Sequence, residues 1–385
     1  MQAAPRARLE SVDLVRGLIL VVMAIDHVRD MMGPRLDPND LAVTTPALFL
    51  TRLVTHLCAP GFVLLAGTGA FLSKKSPSEL SRFLLSRGLW LVVVEFTIMK
   101  VAWTFNFDPH MMGLQVIWAI GWSMVALAAL VRLPLPAVGL FGAAMIALHN
   151  LFDGVAVGAL LAGPRGHRVF AGTLRDWLIS FAHVQNRPIV YPVIPWIGVM
   201  AVGFALGPLF RMEASPRRRT LALLGVSLCA AFLLLRALNG YGDSQPWSAQ
   251  ASPAFTAISF FNTAKYPPSL DYLLMTLGPI FLLLLAAESL RGKVARPLIV
   301  FGRVPFFFYV LHVYLIHGLA LALGIGTGFP AADFLVAWPA FPRGFGVGLT
   351  AVYLTWALVV LALYPACRWF AQVKERRRDW WLSYL

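Results

Sequence analysis

The sequence predicts an all-α integral membrane protein, folded as one polytopic bundle of about ten transmembrane helices with both termini in the cytoplasm. Of its 385 residues, 59% are hydrophobic and only 13% are charged, and the mean hydropathy is +0.73. Soluble domains are about 45–50% apolar and about 25% charged, so a soluble globular enzyme and a disordered chain are excluded. The three cysteines are far apart, which excludes a disulfide scaffold.

Ten apolar runs supply the predicted helices, since a transmembrane helix needs about 20 predominantly apolar residues. The first run continues into Asp26-His27 without a small-residue cleavage site, so we expect it to remain as a span. We expect one domain over 1–385, with a cytoplasmic segment 1–13 and a basic cytoplasmic tail 369–385. The runs are 14–32, 48–72, 88–106, 114–131, 135–153, 191–210, 219–238, 270–290, 298–322 and 344–368.

The orientation follows from the basic residues. The net charge of +14 comes largely from short Lys/Arg clusters between apolar runs, the pattern that marks cytoplasmic loops. We interpret this charge as topology and expect no nucleic-acid partner. The predicted outer side carries the longer irregular segments, which are 33–47, 154–190, 239–269 and 324–343.

The first span carries the densest set of polar groups. Charged residues within a membrane span are costly and mark functional cavities or interhelical pairs. His27 follows Arg16 by eleven residues, roughly 16 Å along a helix, and an imidazole can exchange protons near neutral pH. Asp30 lies three residues after His27 on the same helix face and is the preferred orienting carboxylate, with Asp26 as second choice. A purely structural His–Asp pair is the equally weighted alternative.

Three arginines are predicted near the inner membrane boundary, and these are Arg16, Arg87 and Arg303. Guanidinium groups bind phosphate in a bidentate way, so we predict that at least one contacts an anionic donor molecule. Anchoring to lipid phosphate is the alternative for any one of them. Arg87 shares a helix face with Glu95, and we expect that carboxylate to pair with a neighbouring helix.

The remaining histidines give no metal-ligand pattern. His312 and His317 are five residues apart, diverge on a helix and have no carboxylate nearby in sequence. His149 is expected at the membrane interface and His183 in an exposed outer segment. His56, on the second span, either faces the same cavity as His27 or caps a kink. We therefore expect no metal site.

Two outer entries to spans carry groups suited to a hydroxyl-rich or anionic ligand. Asn262, Lys265 and Tyr266 precede a Pro-Pro pair, which fixes an extended backbone. Trp196, at the start of the sixth span, could stack on a sugar ring. With His56, these residues are the predicted acceptor-binding set. The alternative is two rigid entries with interfacial aromatic residues.

Several motifs together resemble one family, the bacterial membrane proteins related to the catalytic domain of heparan-alpha-glucosaminide N-acetyltransferase. The wider group includes the acyltransferase family 3 membrane enzymes, whose first span carries Arg, ten residues and then His, a spacing that Arg16 and His27 reproduce. The resemblance spans nearly the whole chain. Its motifs are Ser11-Val12-Asp13-x-x-Arg16-Gly17, Asp26-His27, Pro60-Gly61-Phe62-x-x-x-Ala66-Gly67, Tyr191-Pro192-x-x-Pro195-Trp196, Lys265-Tyr266-Pro267-Pro268-Ser269 and Phe301-Gly302-Arg303-x-Pro305-Phe306.

The resemblance implies acyl transfer from cytosolic acetyl-CoA to an amine or hydroxyl of a glycan or glycolipid on the far side of a bacterial inner membrane. In the animal lysosomal enzyme, the histidine proposed to be acetylated lies in the loop after the first span of the catalytic domain. Segment 33–47 contains no histidine here. Direct transfer with His27 as general base is therefore expected, with no metal. The oligomeric state stays open, and a homodimer is one arrangement.

A secondary transporter is the alternative from another functional class, with His27, Asp26 and Glu95 relaying protons or binding a solute. Transporter folds often contain two related halves with broken helices at matching positions. The sequence shows no such repeat, which favours the acyltransferase.

Overall fold

The protein is a bundle of α-helices joined by short turns and by longer irregular segments. The computed structural model describes residues 10–73, 75–108, 111–155, 160–162, 168–170, 173–185, 188–290, 292–377 and 379–384. The helices are α1 (Glu10–Met32), α2 (Pro46–Thr55), α3 (Cys58–Leu72), α4 (Pro77–Val94), α5 (Lys100–Thr104), α6 (Val116–Leu130), α7 (Leu135–Leu148), α8 (Leu174–Ala182), α9 (Ile194–Ala205), α10 (Ala214–Leu238), α11 (Pro253–Phe261), α12 (Leu270–Ala287), α13 (Ala295–Arg303), α14 (Pro305–Gly326) and α15 (Leu349–Arg376).

Shorter helical turns complete several of these helices. A π-helical turn, Glu95–Met99, joins α4 to α5, and a 3₁₀ turn, His149–Phe152, continues α7. The other 3₁₀ turns are Gly207–Arg211, Ala331–Phe334, Trp338–Ala340 and Trp380–Ser383.

Within the described residues, seven helical segments are long and apolar enough to cross a membrane, which makes the chain a multi-pass integral membrane protein. They are Pro46–Leu72, Leu135–Phe152, Ile194–Arg211, Ala214–Leu238, Leu270–Ala287, Pro305–Gly326 and Leu349–Arg376. The other three predicted spans are also helical: α1, the continuous α4–π–α5 segment and the 15-residue α6. The helical class is thus confirmed, while the count of ten and the side of each terminus stay predictions.

Several boundaries differ from those predicted. The second span is interrupted at His56, which caps α2 before α3 begins. The ninth is broken at Val304, because Pro305 cannot donate a backbone hydrogen bond and instead starts α14. The tenth helix runs on to Arg376, so the first part of the predicted tail 369–385 is helical.

One small hairpin departs from the all-α prediction. Strands β1 (Leu160–Ala162) and β2 (Arg168–Phe170) pair antiparallel, with Leu160 opposite Phe170. They lie in the predicted outer segment 154–190. Three-residue strands are too short to produce a recognisable alternating pattern.

The charged helix α1 lies inside the bundle, in contact with α2, α3, α12, α13, α14 and α15. Its closest approach is to α13, where Gly17 and Gly302 bring the two backbones together. A Cβ atom on Gly17 would lie 1.8 Å from the Leu298 carbonyl oxygen, and one on Gly302 would lie 1.8 Å from that of Asp13. Glycine is required at this crossing because any side chain would separate the helices.

The buried residue Glu95, which is 1% exposed, holds the start of α6. Its carboxylate accepts hydrogen bonds from the backbone N–H groups of Gln115 (2.9 Å) and Trp118 (3.2 Å). The first N–H groups of a helix lack intrahelical partners and carry partial positive charge. Glu95 therefore pairs with a neighbouring helix, as the sequence predicts, but through that helix's N-terminus.

Candidate active site

A cavity of about 660 Å³ extends from the middle of α1 towards the segments predicted to face outward. Its walls come from α1, α2, α3 and α5 and from irregular segments around 34–39, 111–115 and 337–343. The described residues lining it include six basic and three acidic side chains: Arg29, Arg35, Arg52, Lys100, Lys265 and Arg343, with Asp26, Asp30 and Asp37. The lining therefore favours an anionic ligand or one with many hydrogen-bonding groups.

His27 lines this cavity and is bonded to a histidine from another helix. Its Nδ1 lies 2.6 Å from Nε2 of His312 on α14, and the two rings are nearly parallel. The Nδ1 of His312 lies 2.9 Å from the Phe308 carbonyl oxygen. That oxygen can only accept, so in the neutral pair His312 carries its proton on Nδ1 and accepts at Nε2.

This arrangement fixes the tautomer of His27. Since His312 accepts at Nε2, the proton of a neutral His27 lies on Nδ1, and its Nε2 keeps an unshared electron pair. Among the described residues His27 Nε2 has no hydrogen-bond partner, and it is not one of the buried side-chain atoms left unpaired, so it retains contact with the cavity space. His27 thus presents a basic nitrogen towards the cavity, with the Trp103 ring edge-on at 4.9 Å.

Asp26 belongs to a buried ionic network. Its carboxylate accepts hydrogen bonds from Arg29 (2.7 Å), from the Thr55 hydroxyl (3.0 Å) and from Arg52. All four residues are less than 9% exposed. Buried charges need partners because removing them from water is costly, and here Asp26 links α1 to α2. It orients two cations of the cavity wall rather than His27.

Asp30 also pairs elsewhere than predicted. Its carboxylate accepts from Arg29 at 2.6 Å, and both residues line the cavity. The i, i+3 spacing predicts a His27–Asp30 pair, but the neighbouring Arg29 guanidinium competes for the carboxylate. The orienting partner of His27 is instead His312, which lies 285 positions away in sequence. No local spacing could have revealed this pairing.

Lys265 and Tyr266 line the cavity, as predicted for the acceptor-binding set. The Lys265 ammonium lies 5.3 Å from the centre of the Tyr266 ring, and the Tyr266 hydroxyl donates to that of Tyr191 at 3.4 Å. Burial alone would raise the pKa of the Tyr266 hydroxyl, but the charges of Lys265 and Arg52 hold it below its ordinary value. The Tyr266–Pro267 peptide bond is cis.

The other three predicted acceptor-binding residues lie outside the cavity lining. Trp196 is fully buried beside Tyr191, so its ring has no free face for a sugar. His56 is also fully buried, packed against Tyr272. The Asn262 amide donates to the backbone oxygen of Asn39 at 2.8 Å, which joins two outer segments.

The three arginines predicted to bind the donor lie at the opposite end of α1, and none of them lines the cavity. Arg16 donates to the carbonyl oxygen of Gly302 at 3.2 Å. Gly302 directly precedes Arg303 in the chain. The guanidinium of Arg87 lies close enough to Arg16 for electrostatic repulsion. Arg303 pairs with Glu375 of α15. The structure therefore groups these residues from three helices at one place.

The bundle, with its long apolar helices around a cavity lined by charged side chains, defines a class, that of multi-pass integral membrane proteins. The family model described as "Heparan-alpha-glucosaminide N-acetyltransferase, catalytic" matches residues 8–246. The chain belongs to this family, as the motif resemblance predicts, and membership indicates a membrane acetyltransferase. The motifs at 265–269 and 301–306 lie beyond the matched range. No curated protein matches the chain significantly.

Proposed function

We propose that the protein transfers an acetyl or other acyl group from cytosolic acyl-CoA to a hydroxyl or amine of an extracytoplasmic glycan or glycolipid. The observation that carries this proposal is the His27–His312 pair, which leaves His27 Nε2 as an oriented base facing the cavity. Family membership supports the acetyl-transfer chemistry. The expected setting is a bacterial cytoplasmic membrane.

The proposed reaction is a direct displacement. His27 Nε2 takes the proton of the acceptor O–H or N–H group as that group attacks the thioester carbonyl carbon. The new C–O or C–N bond forms, the C–S bond breaks, and the departing CoA thiolate recovers a proton from the imidazolium. His312 Nε2 accepts a hydrogen bond from His27 Nδ1–H throughout the reaction, so the base stays oriented.

The donor is proposed to bind at the other end of α1. The phosphates of acyl-CoA suit the guanidinium groups of Arg16, Arg87 and Arg303. His27 lies eleven positions after Arg16 on the helix, a rise of roughly 16 Å, which the extended pantetheine arm would bridge. The acceptor would occupy the cavity, where the excess of basic side chains favours an acceptor that carries an anionic group.

Purified protein supplied with labelled acetyl-CoA and a panel of membrane glycolipids tests the proposal. We expect transfer of the label, and we expect His27→Ala to slow it by about 10²–10⁴-fold, the usual contribution of a positioned base, while expression and CoA binding persist. His56→Ala should cost less, because His56 lies outside the cavity. Wild-type turnover by His27→Ala would refute the mechanism.

The transporter alternative makes a different prediction. Uptake of a solute into proteoliposomes, with no release of CoA from acetyl-CoA, would support it. Family membership favours the enzyme, and the buried Asp26 is fully engaged by Arg29, Arg52 and Thr55, which leaves it poorly suited to carry protons.

A further inference from the structure

Outside the cavity, where the end of α7 meets α8, lies a cluster of side chains of the types that commonly bind metals. His149 begins the 3₁₀ turn after α7, Asp153 follows that turn, and His183 caps the C-terminus of α8. None of the three lines the cavity. His183 is expected from the sequence to lie in an exposed segment, but it is 3% exposed. That expectation is wrong because α8 packs its C-terminal end against the 3₁₀ turn.

The two histidines are buried with polar atoms left unpaired. His149 is 1% exposed, and among the described residues neither of its ring nitrogens has a hydrogen-bond partner. His183 uses Nε2 to contact Asp153 Oδ1 at 2.8 Å, while its Nδ1 is unpaired. Burying an imidazole without satisfying either nitrogen is costly. Here, unlike at His56, the unpaired nitrogens lie beside a second imidazole and a carboxylate, so the cluster is suited to hold a ligand.

The geometry suits a small cation. One nitrogen from each histidine and one oxygen of Asp153 all lie within 4.8 Å of one another. Zinc binds imidazole nitrogen and carboxylate oxygen at about 2.0–2.2 Å in a tetrahedron, which sets the ligand atoms roughly 3.3 Å apart. Side-chain shifts of about 1 Å or less would bring these three atoms to that spacing.

Contrary to the expectation from sequence of no metal site, we propose that His149, Asp153 and His183 bind a divalent transition metal, with Zn²⁺ preferred for this two-imidazole, one-carboxylate set. Water completes the tetrahedron. The Asn150 amide donates to Asp153 Oδ2 at 2.7 Å and thereby orients the carboxylate, as partners of metal ligands commonly do.

The proposed ion holds the outer segment against the bundle. It joins α7 to α8, and Asn150 Oδ1 also accepts from the first N–H of α12 at 2.9 Å. The chain after His183 leads directly to Gln185, Val190 and Tyr191, which line the cavity. The metal would therefore stabilise one wall of the cavity without contacting the reacting groups.

Equilibrium dialysis of the full-length protein against buffered Zn²⁺ tests this site. The protein should carry an affinity tag without histidines and be stripped with a chelator beforehand. We expect one zinc per chain by elemental analysis, and a rise in thermal unfolding temperature with zinc. His149→Gln, Asp153→Asn and His183→Gln should each weaken binding by at least about tenfold, since even partners of ligands contribute about 10–100-fold.

His56→Ala is the matched control, because His56 is likewise buried with both ring nitrogens unpaired. It should bind zinc like the wild type. X-ray absorption of the wild-type protein should show two imidazole nitrogens at about 2.0–2.1 Å, which decides the question even if the variants fail to fold. A wild type that retains no zinc, wild-type affinity in all three ligand variants, or a zinc spectrum lacking imidazole would overturn the proposal.

Discussion

At the scale of single residues, the proposed chemistry depends on which nitrogen of His27 carries the proton. The Phe308 carbonyl sets the proton on His312 Nδ1, and His312 in turn sets that of His27. A chain of two imidazoles ending on a backbone oxygen thus does what a carboxylate does in many catalytic pairs: it selects the tautomer. Unlike a carboxylate, it adds no negative charge beside a cavity lined mainly by cations.

His312→Ala should lower kcat by at least about 100-fold, since losing the group that orients a catalytic histidine can cost up to about 10⁴-fold. His312→Gln, whose side-chain oxygen can accept from His27 Nδ1, should recover part of the activity. The measurement is steady-state kinetics with labelled acetyl-CoA. Equal activity of the Ala and Gln variants would show that His312 only fills space.

His317 on the same helix is the matched control for that experiment. Its two ring nitrogens contact the backbone oxygens of Ala102 (2.9 Å) and Phe334 (2.8 Å), and it does not line the cavity. His317→Ala should therefore lower the thermal unfolding temperature while the folded fraction keeps its kcat.

Arg16→Ala should weaken binding of a non-hydrolysable acyl-CoA analogue by at least about tenfold, the effect of losing roughly 1.4 kcal/mol of a charge-assisted hydrogen bond. Arg132→Ala is the control, because Arg132 is exposed at the end of α6 and far from α1 in sequence. Isothermal calorimetry in detergent measures both. Indistinguishable affinities would count against the assignment of the donor site to this end of α1.

The sequence was informative about site residues that lie close together on one helix. His27, Asp26 and Asp30 line one cavity, as do Lys265 and Tyr266. The sequence did not predict the role of residues whose position depends on burial or on partners far away in the chain. Trp196 is an aromatic residue at a predicted outer entry, and its complete burial beside Tyr191 follows only from how the helices pack.

At the scale of elements, the helices that hold the candidate site are the ones that hydropathy alone identifies least well. α1 and the α4–π–α5 segment are long enough to span a membrane, but their charged residues make them less apolar than the seven clear spans. α1 contains Asp26, Arg29 and Asp30. The α4–π–α5 segment contains Arg87, Glu95 and Lys100. The seven clearly apolar spans were predictable because lipid contact demands apolar residues, whereas cavity walls do not.

The crossing of α1 and α13 gives a prediction about an element pair. Gly302→Ala should lower stability by about 1–3 kcal/mol, the usual cost of overpacking, since its Cβ would lie 1.8 Å from the Asp13 oxygen. It should also weaken CoA binding, because Arg16 donates to the Gly302 oxygen. Thermal unfolding and calorimetry measure the two effects.

Gly318→Ala on α14 is the control for that substitution, because nothing lies within 4 Å of its Cβ position. It should be neutral or stabilising by up to about 1 kcal/mol, from reduced backbone entropy of the unfolded chain. If both alanine variants unfold at the same temperature, the close approach of α1 and α13 does not determine stability.

At the scale of the whole molecule, the number of spans sets the sides of the termini. Ten spans place both termini on the same side, which the basic residues predict to be the cytoplasm, whereas seven would place them on opposite sides. Reporter fusions at each terminus, after Lys75 and after Arg343 distinguish the two arrangements. We expect cytoplasmic signals from the termini and Lys75 and an outer signal from Arg343. Termini on opposite sides would refute the ten-span topology.

The short helix α6 has a consequence for how far an acyl group must travel. Its 15 residues cover about 22 Å, less than the roughly 30 Å of hydrocarbon in a bilayer. Non-helical backbone at membrane depth is tolerated where it lines a water-filled space, and Met111, Met112, Gly113 and Gln115, just before α6, line the cavity. We therefore expect water to reach membrane depth from the outer side through this cavity, which shortens the dry part of the proposed acyl-transfer route. A shortened route can be crossed by one flexible arm in a static scaffold, so the proposed turnover would need no alternation between inward-open and outward-open states.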